Sequence, residues 1–211
     1  MQFRRIATAL VTVGVAFALS AAPASAHTRS TDPGNRSLAA VLTADGNTFD
    51  RNWNDYDIVT EAVLAVLAAK PSSAVGVLAD GKVALTAFLP TDRAFRNLVG
   101  DLTGKWYRSE SKVFDALVAA VGVETVENVL LYHVVPGATI TRKDALEADG
   151  ASLQTALAGA SITVDVKWRH FVVLVDNDPN DRNPMVKKFD INRGNLQIAH
   201  GITAVLRPAD L

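Results

Sequence analysis

The apolar residues of this chain change period about halfway along it, and that change limits the folds open to it. Up to about residue 133 they recur at helical spacing. Ser37 can cap a short helix carrying Leu38, Val41 and Leu42. Asp57 is read as the cap of a longer one with Ile58, Val59, Ala62, Val63, Val66 and Leu67, stopped by Pro71. The Asp80-Gly81 turn introduces a strand over 83–89. After Pro90, Thr91 or Asp92 caps a helix holding Ala94, Phe95 and Leu98, with Gly100 as its stop. Ser109 or Ser111 opens another through Val113, Phe114, Leu117 and Val118 to Gly122, and a further helical segment from about Glu124 carries Val126, Val129 and Leu130 into Tyr132 and His133. Beyond that point the signal is β. Residues 161–166 and 171–175 are rich in β-branched side chains and read as a hairpin, with shorter strands expected at 186–191, 196–198 and 202–206. Helices first and strands second argue for an α+β domain and against an alternating parallel-sheet fold. With no internal repeat or linker between Ser37 and Leu206, 37–211 is read as a single domain.

The absence of cysteine sharpens this. No disulfide, thiolate metal site or cysteine nucleophile is available, so the domain must hold itself together by its core, for which its length suffices.

The N-terminus is read as an export signal over residues 1–26. Arg4 and Arg5 precede an apolar stretch from Ile6 to Leu19, and Ala24-Ser25-Ala26 gives a small-x-small cleavage site. The apolar run is shorter than the roughly 20 residues a spanning helix needs. Cleavage after Ala26 would leave 19 basic against 22 acidic residues, a net charge of −3. No run of either sign suggests nucleic acid as a partner. Residues 27–36 are polar and read as a flexible leader, in which Asn35-Arg36-Ser37 matches a glycosylation sequon. The last residues, 208–211, carry no hydrophobic tail, so a secreted, soluble product without stable membrane insertion is expected.

Three segments carry a family resemblance. TAFLPTDRAF (86–95) combines a strand, Pro-Thr-Asp and a helix with Ala-Phe. NVLLYHVVPG (128–137) contains a Tyr-His pair, and FDINRGNLQIAHGITAVLRP (189–208) closes on Leu-x-Pro. In this order and spacing they resemble the signature blocks and closing strands of the fasciclin (FAS1) family. The resemblance implies a wedge-shaped β-sandwich core with helices packed along one side, and an extracellular adhesion or binding module that is not an enzyme. It makes Phe88, Pro90, Thr91, Asp92 and Phe95 the structural motif. It also associates Tyr132, His133, Asp190 and Ile191 with partner binding, although Asn192 stands where the family usually has an aliphatic residue. Because the family packs its two blocks side by side, His133 is expected to bond near Thr91 or Asp92. The residues themselves favour a plainer role, since a histidine among Leu130, Leu131, Val134 and Val135 needs a partner if buried.

The sequence contains no nucleophile elbow, phosphate-binding glycine loop or paired zinc histidines. No catalytic residue, metal ligand or cofactor is assigned. The 176–181 stretch, Asp-Asn-Asp-Pro-Asn-Asp, offers oxygens at alternate positions, but it lacks the central glycine and terminal glutamate of a calcium loop and is read as a dispensable surface connection. The expected partner is an extracellular protein or a cell-surface or matrix polymer. The alternative is a carrier of an apolar small molecule, a pigment or lipid, in a cleft that Trp53, Trp106, Tyr107 and Trp168 could line.

Overall fold

A computed structural model describes residues 33–211 apart from Asp45 and Asn47. The expected export signal lies outside the described residues. From Pro33 onward the chain forms one compact unit. Its elements are α1 (Leu38–Leu42), α2 (Asp57–Ala69), a 3-10 turn (Ala74–Ala79), β1 (Leu85–Pro90), α3 (Asp92–Thr103), α4 (Glu110–Tyr132), β2 (Val134–Pro136), α5 (Arg142–Glu147), β3 (Ser152–Gln154), β4 (Ser161–Lys167), β5 (Phe171–Val175), β6 (Val186–Ile191) and β7 (Gln197–Ile202).

Two sheets are present, β2-β1-β7-β6 and β3-β4-β5. In the first, β1 runs parallel to β7 and antiparallel to β2. Every residue of β1 and β7 is buried, as befits strands covered on both faces. The two-residue period of a strand divides the interior. Leu85, Ala87 and Leu89 of β1 face α2, α3 and α4 in one core. Phe88 faces the other way, into a second core with Ile162, Val164, Val172 and Leu174 of the small sheet. The architecture is therefore α+β, with α1–α4 on one side of the first sheet and the small sheet, with α5, on the other.

Ser37 caps α1 as expected, its hydroxyl accepting from the Ala40 amide at 3.2 Å. Gly122 (φ 76°, ψ 161°) breaks α4 into the two helical segments read from the sequence, in a conformation that glycine tolerates and L-residues resist. Elsewhere the structure corrects the reading. Asp57 is not a cap; α2 begins at Asp57, and the cap position is Tyr56, whose side chain makes no capping bond. Gly100 does not stop α3. The helix runs on to Thr103 and ends at Gly104 in the left-handed conformation. The strands expected at 196–198 and 202–206 are one strand, β7. After it Thr203 turns away to donate to the Met185 carbonyl, and Val205 and Leu206 are buried by packing without strand pairing. The end of the expected leader is tied down, because Gly34 donates to Gly194 and Leu196 donates back to Gly34. Finally, Gln197 of β7 accepts from the Leu38 amide and donates to the Val77 and Asp80 carbonyls, so one buried amide joins α1, the 3-10 turn and the sheet.

Candidate functional site

The two sequence blocks do meet. Leu85, Thr86 and Ala87 pair with Pro136, Val135 and Val134, and Phe88 donates its amide to the His133 carbonyl at 2.9 Å. Phe88 and Phe95 are buried anchors, and Pro90 ends β1 opposite Ile202, where its missing N–H costs little. Thr91 takes the cap position of α3 without a side-chain capping bond. Asp92 is fully buried and does something the sequence did not suggest: its Oδ1 accepts from the Ile58 amide at 2.8 Å, capping α2 in place of Tyr56.

His133 does not reach Thr91 or Asp92. Its Nδ1 donates to the Val129 carbonyl at 2.7 Å, and its Nε2 accepts from the Leu206 amide at 3.0 Å, 73 residues along the chain. Both nitrogens are thus committed in the neutral tautomer. Burial, partly opposed by the Val129 bond, pushes the pKa of His133 down to about 4. Tyr132 is buried beside it and donates its hydroxyl to the Ser161 carbonyl at 2.9 Å, clasping the helical block to β4. Burial, with the Asp176 charge adding to it, raises the Tyr132 pKa to about 12.

Asp190 and Ile191 lie at the end of β6. Asp190 has φ of 59° and its Oδ1 accepts from the Arg142 amide at 2.7 Å, supporting the start of α5. Its own amide donates to Nδ1 of His200, whose Nε2 donates to the Ile140 carbonyl. His200 is a second buried, neutral imidazole, its pKa lowered by burial. Ile191 packs against the helical core. In this fold the Tyr-His pair and the Asp-Ile pair are separate, each engaged with the scaffold.

The 176–184 connection is not a free loop. Arg207, buried under it, places its guanidinium 2.9 Å from Asp181, 3.5 Å from Asp178 and 3.4 Å from Asp101, and its amide donates to Asp176 Oδ2 at 2.8 Å. An arginine thus occupies the centre of the acidic stretch that might have suggested calcium.

Two surface features stand out. At the β4–β5 turn, Trp168 and Arg169 both adopt positive φ, and Trp168 is 81% exposed. Phe171, 43% exposed, meets Trp168 edge-on at 5.9 Å; Lys167, Arg169 and His170 are their neighbours in sequence, and Lys167 pairs with Asp165 at 2.6 Å. The second is an open hollow of about 470 Å³ bounded by Arg51, Trp53, Arg96 and Arg108, with Arg96 stacked on the Trp53 ring. A further hollow, of about 400 Å³, lies beside Tyr56, Thr91, Lys188 and Ile202, whereas the enclosed apolar cavities are far smaller. One lies between α2, α3 and α4 and another under Phe88, and each measures about 10 Å³, room for no more than a water. Of the aromatics considered for a cleft, Trp53 borders the hollow with Arg96, and Trp106, half-exposed against Gly100, borders another of about 290 Å³ with Asp101, Asp181 and Arg207.

The sequence matches the Fasciclin domain over residues 61–208. The chain belongs to the fasciclin family. Among solved structures, the fasciclin fold of this chain is similar to that of a FAS1 domain pair from the insect cell adhesion molecule fasciclin I. The two share 18% identity with a TM-score of 0.56, over 82% of this chain and 51% of that one. The chain thus spans about half the length of that structure. A search of the curated proteins finds no match. Fasciclin domains are generally non-enzymatic binding modules and occur in extracellular, adhesion-type proteins. Among the described residues no helix is long and apolar enough to cross a membrane.

Proposed function

We propose that this fasciclin domain is exported and works outside the cell as a non-catalytic module that holds a macromolecular partner with an acidic surface. The observation that carries this reading is the β4–β5 tip. A tryptophan and a phenylalanine in mutual contact and exposed, with Arg169 between them in sequence, form the composition that dominates binding energy at interfaces. The conformation adds weight. Positive φ at successive turn positions favours glycine and asparagine, and in this three-residue turn Trp168 and Arg169 take those positions at a cost in backbone strain. The buried histidines support the non-catalytic part, since each commits both ring nitrogens to the scaffold and keeps none for proton transfer. The family resemblance also associates Tyr132, His133, Asp190 and Ile191 with binding. Their engagement with the scaffold makes their contribution one of shaping the surface that surrounds them.

The test uses the domain from His27 onward as bait for cell-envelope and culture-medium fractions. Trp168→Ala should reduce capture of the partner at least about tenfold, as loss of an interface aromatic does, with the melting temperature unchanged. Equal capture by wild type and variant would refute the assignment of the tip.

A further inference from the structure

Asp55, Asp92 and Glu110 bring carboxylate oxygens within 4.8 Å of one another, and Asp50, Asp55 and Asp57 form a second such group sharing Asp55. The place is where three helices begin. Asp57, Asp92 and Glu110 are the first residues of α2, α3 and α4, and Asp55 lies just ahead of α2. Asp92 and Glu110 are fully buried. One Asp92 oxygen is used by the Ile58 amide. The other, one oxygen of Asp55 and both of Glu110 have no hydrogen-bond partner of proper geometry. Among the described residues, none of the three carboxylates forms an ion pair.

Such groups are ordinarily satisfied when buried, and a buried charge without a counter-charge is among the costliest arrangements in a protein. The helix termini do not cancel it. Each contributes about half a positive charge, so three supply about one and a half against the three carboxylates of Asp55, Asp92 and Glu110. Burial above all, and then contact with Asp55, holds the Asp92 carboxyl well above the usual carboxylate range. Glu110 is raised as well, again chiefly by burial. The contrast with the 176–181 stretch is direct: there Arg207 supplies the positive charge, and here no side chain does.

The geometry suits a hard cation. Oxygens bound to calcium at 2.3–2.6 Å lie no more than about 5 Å apart across the ion, a limit that the oxygens of Asp55, Asp92 and Glu110 meet. An all-oxygen set does not favour zinc or copper, and magnesium would have to shed water it gives up reluctantly to sit among buried carboxylates. We propose that Asp55, Asp92 and Glu110, assisted by Asp50 and Asp57, form a calcium site that ties together the entrances of α2, α3 and α4.

The full chain, stripped with chelator and titrated with calcium chloride alone, tests this by calorimetry and thermal melting. One calcium per chain is expected, with the melting temperature rising about 5–10 °C at calcium a hundredfold above the dissociation constant. Glu110→Gln should weaken calcium binding at least about tenfold, while its calcium-free form melts no lower than wild type because a buried, uncompensated charge is gone. Asp55→Asn, nearer the surface, should show the same loss of affinity. Asp181→Asn should leave the response intact. No change up to about 10 mM calcium, well above the range of the weakest calcium modules, would overturn the site. So would a full response in Glu110→Gln and Asp55→Asn, or its disappearance in Asp181→Asn.

Discussion

Replacing Arg207 tests whether the 176–184 connection is wired into the core by charge. The guanidinium meets three carboxylates of unequal weight. The Asp101 side chain is 54% exposed and solvated, so its pair contributes little. Asp181 is partly covered. The Asp178 side chain has no exposure at all, and with Arg207 gone its carboxylate would sit buried without a counter-charge. Removing one partner of such a pair costs about 3–5 kcal/mol. For a domain of this size that is a fall in melting temperature of about 6–20 °C. Arg207→Met is the informative change, because it keeps most of the buried stem and leaves intact the backbone amide that bonds Asp176. The assay is urea denaturation of wild type, Arg207→Met, Asp178→Asn and the double variant. The double variant should recover most of the loss, since Asn retains the oxygen that accepts from the Asn180 amide and sheds the charge. If Arg207→Met lies within about 0.5 kcal/mol of wild type, as surface changes do, the buried pair does not hold the loop.

His133 should make the domain acid-sensitive in a defined window. Its pKa is about 4 when folded against the ordinary value of 6.5, so both states are neutral above 6.5 and the contribution is fully present there. As pH falls from 6.5 towards 4, the unfolded chain takes a proton that the folded one refuses, and stability drops by about 3 kcal/mol. The raised carboxylates of Asp92 and Glu110 act in the opposite direction, so the measurement is the difference between wild type and His133→Gln at pH 7 and pH 4.5; an equal difference at both would refute the assignment. At Gly81, an added Cβ would lie 1.7 Å from the Asn35 carbonyl oxygen, backbone against backbone. Gly81→Ala should therefore cost about 3 kcal/mol through overpacking, and a melting temperature within about 2 °C of wild type would show that residues 33–36 are not fastened as described.

What could be read from the sequence was what neighbouring residues decide among themselves. The period of Ile58 to Leu67, the break at Gly122 and the β4–β5 hairpin are local properties, and they appear in the structure close to where they were expected. Partners were harder to foresee. Asp92 has the right chemistry and position to cap its own helix, yet it caps α2, because the Tyr56 side chain supplies no cap there and the fold brings α2 alongside. His133 was correctly expected to need a partner, but the partner is an amide 73 residues away, in a segment whose apolar character suggested a strand. The acidic group had no sequence signature, because Asp55, Asp92 and Glu110 are scattered over 56 positions and each looks like an ordinary first-turn acid.

The buried polar groups of this domain follow a pattern that gives that acidic group its meaning. Gln197, His133, His200 and Arg207 each join segments distant in sequence, and each finds its partners among protein atoms. Polar burial is used here as stitching, with the desolvation cost offset at every stitch. Asp55, Asp92 and Glu110 occupy an equivalent position at the helix entrances, and among the described residues none of the three forms an ion pair. The counter-charge proposed for them comes from outside the polypeptide, and a hard cation is the partner that one carboxylate oxygen each from Asp55, Asp92 and Glu110, within 4.8 Å of one another, can hold.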